Sequence, residues 1–343
     1  MHVLILAGGE GSRLWPFSRP DCPKQFLSFG DTTTLLQKTI LRFSGLSFVQ
    51  SISIVTNKAY AFLVEKELER IDLKETVNLI IEPKRKNTAP AIAYSLKWLE
   101  ENKKLDLEEK ILILPSDHLI EPQALFASYL EAIDFSFSKE ALLLFGIRPT
   151  RAETGYGYIQ MGPRKDVLTY QVEAFIEKPS LEKATEYLRS GDYYWNSGIF
   201  AATLGWFWRS FRENAPEIFH LLEKGVEEME QRFDAISKIS FDYAILEKSK
   251  EVVVCPLAIS WSDIGSWDGL YEVMHKDRDQ NVFLGEVQAV DTKRSLILTS
   301  KKKVSTIGVE DLLIVETEDA ILITKRGASQ RVKELLEPPV GCQ

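Results

Sequence analysis

Three glycines, an arginine and a lysine stand close together near the start of the chain, in Leu6-Ala-Gly-Gly-Glu-Gly-Ser-Arg-Leu14 and then Pro23-Lys-Gln-Phe26. Glycines directly after an apolar run let backbone N–H groups approach a phosphate closely. Arg13 adds a planar fork and Lys24 a compact ammonium, in a polar, proline-containing segment that also carries Arg19. Binding of a phosphorylated small molecule is the chemistry this suits. A dinucleotide-binding turn fits poorly: Leu14 stands where the third glycine belongs, and Asn57 and Lys58 stand where an acidic residue should end the second strand. A P-loop fails for want of Gly-Lys-Ser/Thr. Further on, Asp117 follows the apolar run 111–114 and Pro115-Ser116. A carboxylate at the C-terminal end of a parallel strand faces the ligand crevice and is a natural hard-oxygen ligand for Mg²⁺; capping the next turn is its other use. No Gly-x-Ser-x-Gly elbow is present, and His2, His118, His220 and His275 are scattered, which argues against a zinc site.

The elements that must position these residues are legible as alternating patterns. Apolar blocks at 3–7, 51–56, 77–81, 111–115 and 141–147 predict strands covered on both faces. Helical patterns at 34–43, 59–70, 89–102 and 124–137 lie between them, so the rhythm predicts a parallel sheet flanked by helices. Thr34-Leu-Leu-Gln37 has the form of a capping box. Further strands are expected at 158–160, 172–176, 198–202 and 252–256, with helices at 181–190 and 203–231; Trp206, Phe207 and Trp208 read as core. After Gln280 short β-like runs at 285–290, 295–299, 304–308, 312–317 and 320–325 recur about every eight to ten residues, the spacing of a small all-β domain or solenoid. A helical piece at 331–336 and Pro338-Pro339 follow.

Composition narrows the function classes. The chain has 343 residues and a net charge of −8, from 42 basic and 50 acidic residues, which speaks against nucleic-acid or anionic-membrane binding. No apolar run approaches the roughly 20 residues needed to span a bilayer, and no signal peptide is expected. Cys22, Cys255 and Cys342 are odd in number and lack metal-like spacing, as for reduced thiols in a cytoplasmic protein.

The glycine-rich segment also carries a resemblance. Leu6-Ala-Gly-Gly-Glu-Gly-Ser-Arg-Leu-Trp-Pro16 with Pro23-Lys-Gln-Phe26 resembles the signature of the sugar-nucleotide pyrophosphorylases, and its Arg-Leu-Trp-Pro form is most similar to their bacterial mannose-1-phosphate guanylyltransferase branch. Later motifs agree in order: Glu82-Pro-x-x-x-Asn87-Thr-Ala-Pro90, Leu114-Pro-Ser-Asp-His118, Glu153-Thr-Gly-Tyr-Gly-Tyr158, Phe175-Ile-Glu-Lys-Pro179, Trp195-Asn-Ser-Gly-Ile-Phe200, Phe241-Asp-Tyr-Ala244 and Trp261-Ser-Asp-Ile-Gly-Ser-Trp267. The resemblance covers essentially the whole chain. It implies an α/β, Rossmann-like, mixed but mostly parallel sheet flanked by helices, with a small C-terminal β-helix-like domain. The expected division is a catalytic domain over 1–278 and a β domain over 283–337.

The implied reaction is GTP plus α-D-mannose 1-phosphate giving GDP-mannose and pyrophosphate, by in-line attack of the sugar phosphate on the α-phosphorus. Arg13, Lys24, Asp117 and Asp263 carry it, with Asp117 and Asp263 holding Mg²⁺. Nucleotide contacts are expected from Leu6, Ala7, Gly8, Gly9, Gly11, Ser12, Arg13, Asn87, Thr88, Ala89, Ser116 and Asp117. Asn87 could pair with the base edge or cap the following helix. The sugar phosphate is expected at Gly155, Tyr156, Gly157, Glu177, Lys178 and Asn196. His118 could orient a neighbour or simply pack, and Asp242 could be an N-cap. A homodimer through exposed C-terminal coils is a further expectation. The alternatives are the same chemistry with another sugar 1-phosphate and nucleoside triphosphate, or a catalytically silent regulatory subunit that binds nucleotide sugars. Many relatives add a phosphomannose-isomerase domain; that activity is not expected here.

Overall fold

Strands buried on both faces need side chains that are apolar at every position, and the computed structural model places its sheet on those runs. It describes residues 1–9, 11–136 and 140–336; Glu10, Phe137, residue 337, the Pro338-Pro339 pair and Cys342 lie outside the described residues. Strands β1 (His2–Leu6), β2 (Ser51–Asn57), β3 (Val77–Glu82), β4 (Lys110–Pro115), β5 (Leu119–Glu121), β6 (Leu142–Ile147), β7 (Tyr158–Arg164), β8 (Tyr170–Ile176), β9 (Tyr193–Thr203) and β10 (Val252–Leu257) come first. All but β5 form a mixed nine-stranded sheet in the order β3-β2-β1-β4-β9-β6-β10-β8-β7. Neighbours from β3 to β4 run parallel, as do β6 and β10. Strand β9 is antiparallel to both β4 and β6.

This sheet belongs to a compact unit made of Met1–Gly8, Ile40–Ser116 and Glu121–Ile259. Helix Thr88–Lys103 turns Ala89, Ile92, Ala93, Leu96 and Leu99 inward, the three- and four-residue spacing of a core face. Phe200 and Phe241 stack in the same core, 4.7 Å between centroids. Trp206 and Phe207 are buried there as expected, while Trp208 is half-buried against it. The single helix expected over 203–231 is instead three, Leu204–Asn214, Pro216–Leu222 and Val226–Gln231. Pro216 cannot continue the first helix and opens the second, and Gly225 at φ 97° is the N-cap of the third.

The second unit gathers Gly9–Thr39, Asp117–Ile120 and the chain from Ser260 onward. Here β11 (Ser260–Ser262) pairs with β5. Then β12 (Val282–Leu284), β13 (Val287–Val290), β14 (Leu296–Thr299), β15 (Val304–Ile307), β16 (Leu312–Glu316) and β17 (Ile321–Lys325) wind as successive coils. Strands β12, β14 and β16 stack in parallel on one side, β13 and β15 on another, and β17 closes the larger sheet antiparallel. The expected strand at 285–290 is present as β13 from Val287, with Gly285 and Glu286 forming the corner that separates it from β12. Leu14, Leu27 and Phe29 of the glycine-rich segment pack with Trp267, Leu296 and Leu313 of this unit. Trp267 also donates its indole N–H to the Trp15 carbonyl, 2.9 Å, so the segment is anchored at its middle. The capping box is made as expected, with Gln37 N–H to Thr34 Oγ1 at 3.2 Å and Thr34 N–H to Gln37 Oε1 at 3.1 Å. Among the described residues no helix is long and apolar enough to cross a membrane.

Candidate active site

The second unit brings Arg13, Lys24, Asp117 and Asp263 to one cavity of about 200 Å³, completed by Gly11, His118, Ile264 and Gly265. Its centre is Lys24, on the short turn Lys24–Phe26, with only 7 % of its side chain exposed. The ammonium meets Asp117 Oδ2 at 2.6 Å and also donates to the Asp263 carbonyl. Gly11 makes this approach feasible: its φ is 62°, and a Cβ there would lie 2.4 Å from Lys24 Cβ. Burial works against charge on Asp117, but Lys24, helped by His118, holds its carboxyl below the usual range. His118 accepts the Trp261 indole N–H at Nδ1, 3.3 Å, and its Nε2 lies 3.9 Å from Asp117, so it spans the two. Asp263 Oδ1 accepts the Gly265 N–H at 3.0 Å. Between them Ile264, a β-branched residue, is held at φ 41°, a conformation that costs on the order of 1–3 kcal/mol.

Two carboxylates beside a cation are a hard-oxygen donor set. Asp117 and Asp263 are carboxylates of the kind that divalent cations take together with phosphate and water. Among the described residues no group of three or more His, Cys, Asp or Glu could hold a metal by itself. Arg13 is exposed on the turn Ser12–Leu14 and reaches Gln330 at 3.4 Å. Arg19 is committed elsewhere, to Asp319 and Thr317. The Gly9 carbonyl accepts from Gln25 Nε2 at 3.2 Å.

The other unit holds the remaining candidates in two groups. At the end of β1 the Leu6 carbonyl accepts the Ser116 N–H and the Ala7 N–H donates to Val55, so both residues extend the sheet. Gly8 comes next. Its carbonyl accepts from Arg85 Nη2 at 3.0 Å, and a Cβ on it would stand 3.5 Å from the Glu82 carboxylate. Glu82 is 6 % exposed, and burial, opposed by Arg85, pushes its carboxyl up to about 7. Asn87 caps helix Thr88–Lys103, its Oδ1 accepting from Thr88 N–H at 2.9 Å. Thr88 Oγ1 accepts from the Phe241 N–H, and Ala89 is fully buried.

The second group surrounds Gly157, which has no room for a side chain: a Cβ would lie 2.7 Å from Glu177 Oε2 and 3.3 Å from Asn196 Cβ. The Gly157 carbonyl accepts from Asn196 N–H at 2.8 Å, and the Tyr156 carbonyl from Lys178 N–H at 3.2 Å. Lys178, at φ 47°, pairs with Glu177. Asn196 Nδ2 lies 3.4 Å from Asp242 Oδ1. Burial first, then the Glu177 charge, pushes the Asp242 carboxyl up to about 6. Ser240, not Asp242, caps the helix Phe241–Ala244, so the capping use of Asp242 does not hold.

Sequence reasoning gave no role to Glu82, although Glu82-Pro83 opened a motif, and none to Arg85 or Arg151. The contact of Trp261 with His118 spans 143 positions and has no local signal.

The family described as Nucleotidyl transferase matches residues 2–280, and a MannoseP isomerase/GMP-like beta-helix domain matches residues 285–338. A mannose-1-phosphate guanylyltransferase 2 of Escherichia coli O157:H7 is 38 % identical over 98 % of this chain and 72 % of its own length. A mannose-1-phosphate guanylyltransferase of Klebsiella pneumoniae is 39 % identical over 97 % of this chain and 73 % of its own. A crystal structure described as mannose-1-phosphate geranyltransferase from Thermus thermophilus superposes with a TM-score of 0.88, at 31 % identity, covering 98 % of both chains.

Proposed function

Because the chain belongs to the nucleotidyl transferase family, among its mannose-1-phosphate guanylyltransferases, we propose that it transfers GMP from GTP to α-D-mannose 1-phosphate, giving GDP-mannose and pyrophosphate. The observation that carries the reading is the buried Lys24 set between Asp117 and Asp263, in a cavity that Arg13 and Gly11 also line. Two anions must meet for this reaction, and cations fixed in advance lower the barrier by neutralising charge as it redistributes. Lys24 binds the phosphate under attack, and Arg13 the leaving pyrophosphate. Asp117 and Asp263 would hold Mg²⁺, which when bound supplies further charge neutralisation at the phosphate oxygens. No covalent nucleophile takes part. The oxygen of the sugar phosphate attacks the α-phosphorus, and the bond to the β-phosphate oxygen breaks.

Recognition follows from donors and acceptors. Guanine offers N1–H and its 2-amino group side by side, and the Glu82 carboxylate beside Gly8 is an acceptor matched to both. Asn87, Thr88 and Ala89 stay in the nucleotide reading with Leu6, Ala7, Gly9, Ser12 and Ser116. Glu177 and Asn196 take sugar hydroxyls, Lys178 the sugar's phosphate, and Gly155 to Gly157 the backbone contacts. The division proposed is a catalytic domain over 1–278 and a β domain over 283–337. The reading includes a cytoplasmic enzyme with no nucleic-acid or membrane partner. It also includes a homodimer, for which the exposed Ile307, Ile321 and Ile323 of the coils speak. Sedimentation of the purified chain tests that last point.

The decisive experiment measures pyrophosphate release with Mg²⁺, crossing GTP, dTTP, UTP and ATP against mannose 1-phosphate and glucose 1-phosphate. Release is expected mainly with GTP plus mannose 1-phosphate, and lost in Lys24→Ala and Asp263→Ala. Release with another pair would move the specificity. None with any pair, while nucleotide still binds, would replace the enzyme by a nucleotide-sugar-binding regulatory subunit.

A further inference from the structure

The turn that carries Gly155 to Gly157 is hooked in place from one side. Arg151 Nε and Nη2 both meet Glu153 Oε2, at 3.2 and 3.0 Å. The other oxygen of that carboxylate, Oε1, accepts the Gly155 N–H at 3.0 Å, and the Glu153 N–H donates to the Tyr158 hydroxyl at 3.0 Å. The Arg151 guanidinium lies over Trp195, 5.2 Å from the ring centroid, and 6.0 Å from that of Tyr156. Those two rings meet edge to face, 5.2 Å apart. Trp195 is buried in β9 and adjoins Asn196. One side chain therefore ties the turn both to its own acidic residue and to the neighbouring strand. From the turn the contacts pass directly to Lys178, Asn196 and Glu177 through the Tyr156 and Gly157 backbone.

We propose that Arg151 is a positioning residue for the sugar-phosphate subsite. By holding Glu153 and resting on Trp195, it fixes the turn whose backbone sets Glu177, Lys178 and Asn196. This rests on the reading of that cluster as the sugar-phosphate subsite. The side chain is 42 % exposed, so its removal leaves the core packing intact. A lysine keeps the charge but loses the planar stack and the two-nitrogen contact; alanine loses everything.

The test uses the full chain and the variants Arg151→Ala and Arg151→Lys. Pyrophosphate release is measured with GTP and mannose 1-phosphate varied separately. Hydrogen exchange is followed in peptides spanning 151–160. In Arg151→Ala the KM for mannose 1-phosphate should rise by about tenfold or more, because small misplacement of a positioning group is amplified in rate and binding. The KM for GTP should stay within about twofold and Tm within about 2 °C. Arg151→Lys should fall between wild type and alanine. Exchange over the turn should quicken in the alanine variant. An unchanged KM for mannose 1-phosphate would overturn the proposal, as would parallel losses in both KM values and Tm. Should wild type release no pyrophosphate with this pair, the function reading fails separately. The exchange data then decide: unchanged protection of the turn in Arg151→Ala overturns the hook, and faster exchange partly restored by lysine upholds it.

Discussion

Replacing Glu82 by Gln isolates the energetics of one buried carboxyl. In the folded chain its pKa moves from 4.5 to about 7, chiefly by burial, with Arg85 opposing. Glu82 is 6 % exposed, so solvent screens little of that difference, which corresponds to about 3 kcal/mol. The sign follows from proton counts. Between about pH 4.5 and 7 the folded state keeps a proton that the unfolded state has released, so stability falls as pH rises through this window and levels off above it. Glu82→Gln removes that slope. Urea unfolding of both proteins at pH 5, 6, 7 and 8 gives the difference directly, and other titrating groups cancel in it. The variant should gain on wild type by about 2.5 kcal/mol from pH 5 to 8. The same carboxyl, once it accepts from guanine, must ionise. Binding of GDP-mannose near pH 7 should then release about half a proton from wild type and none from the variant, read by calorimetry in buffers of different ionisation enthalpy. A stability difference that is flat with pH would refute the burial argument; equal proton release would refute the guanine contact.

Lys24→Met should lower kcat by about 100-fold or more, the effect of removing one preorganised charge, and should destabilise by about 1–3 kcal/mol. The lower end allows for the quarter of Asp117 that stays exposed, and pyrophosphate release with urea unfolding reads both effects. Gly11→Ala puts a Cβ 2.4 Å from Lys24 Cβ at a φ of 62°, and should abolish turnover while the far-ultraviolet circular dichroism stays native. Glu316 accepts from Thr299 and from the backbone of residues 300 to 302, which against its burial hold its carboxyl at about 2. Its contribution is full above about pH 4.5 and lost as pH falls toward 2, so Glu316→Gln should flatten the acid limb of thermal unfolding in that window.

Much of the sheet was legible because strands covered on both faces leave unbroken apolar runs. The single helix expected over 203–231 ran past Pro216 and Gly225, both visible in the sequence as breaks. Strand β9 begins five residues before expected, since Tyr193-Tyr-Trp-Asn-Ser197 has no apolar run and is ordered by its neighbours on both sides. The candidate residues for phosphate were recognisable by type. Their grouping came from the resemblance alone, because Lys24, Asp117 and Asp263 come from three separated stretches that no local pattern joins. Glu82 looked like one letter of a motif, since nothing in the local sequence reports that its carboxyl is buried. Asn87 illustrates the reverse: both of its uses were foreseeable, and the geometry displays the cap.

Glu316 also bears on which sequences this coil can tolerate. It holds the corner after β14 by accepting backbone N–H groups, and every residue except proline offers one. The side chains of Ser300 and Lys302 take no part in these bonds, and Lys301 adds only an exposed ion pair to Glu318. Substitutions there should accumulate freely in related chains, provided no proline enters, while position 316 stays an acid. A short recognition sequence of equal length could be grafted at 300–302 and be displayed without refolding the coil.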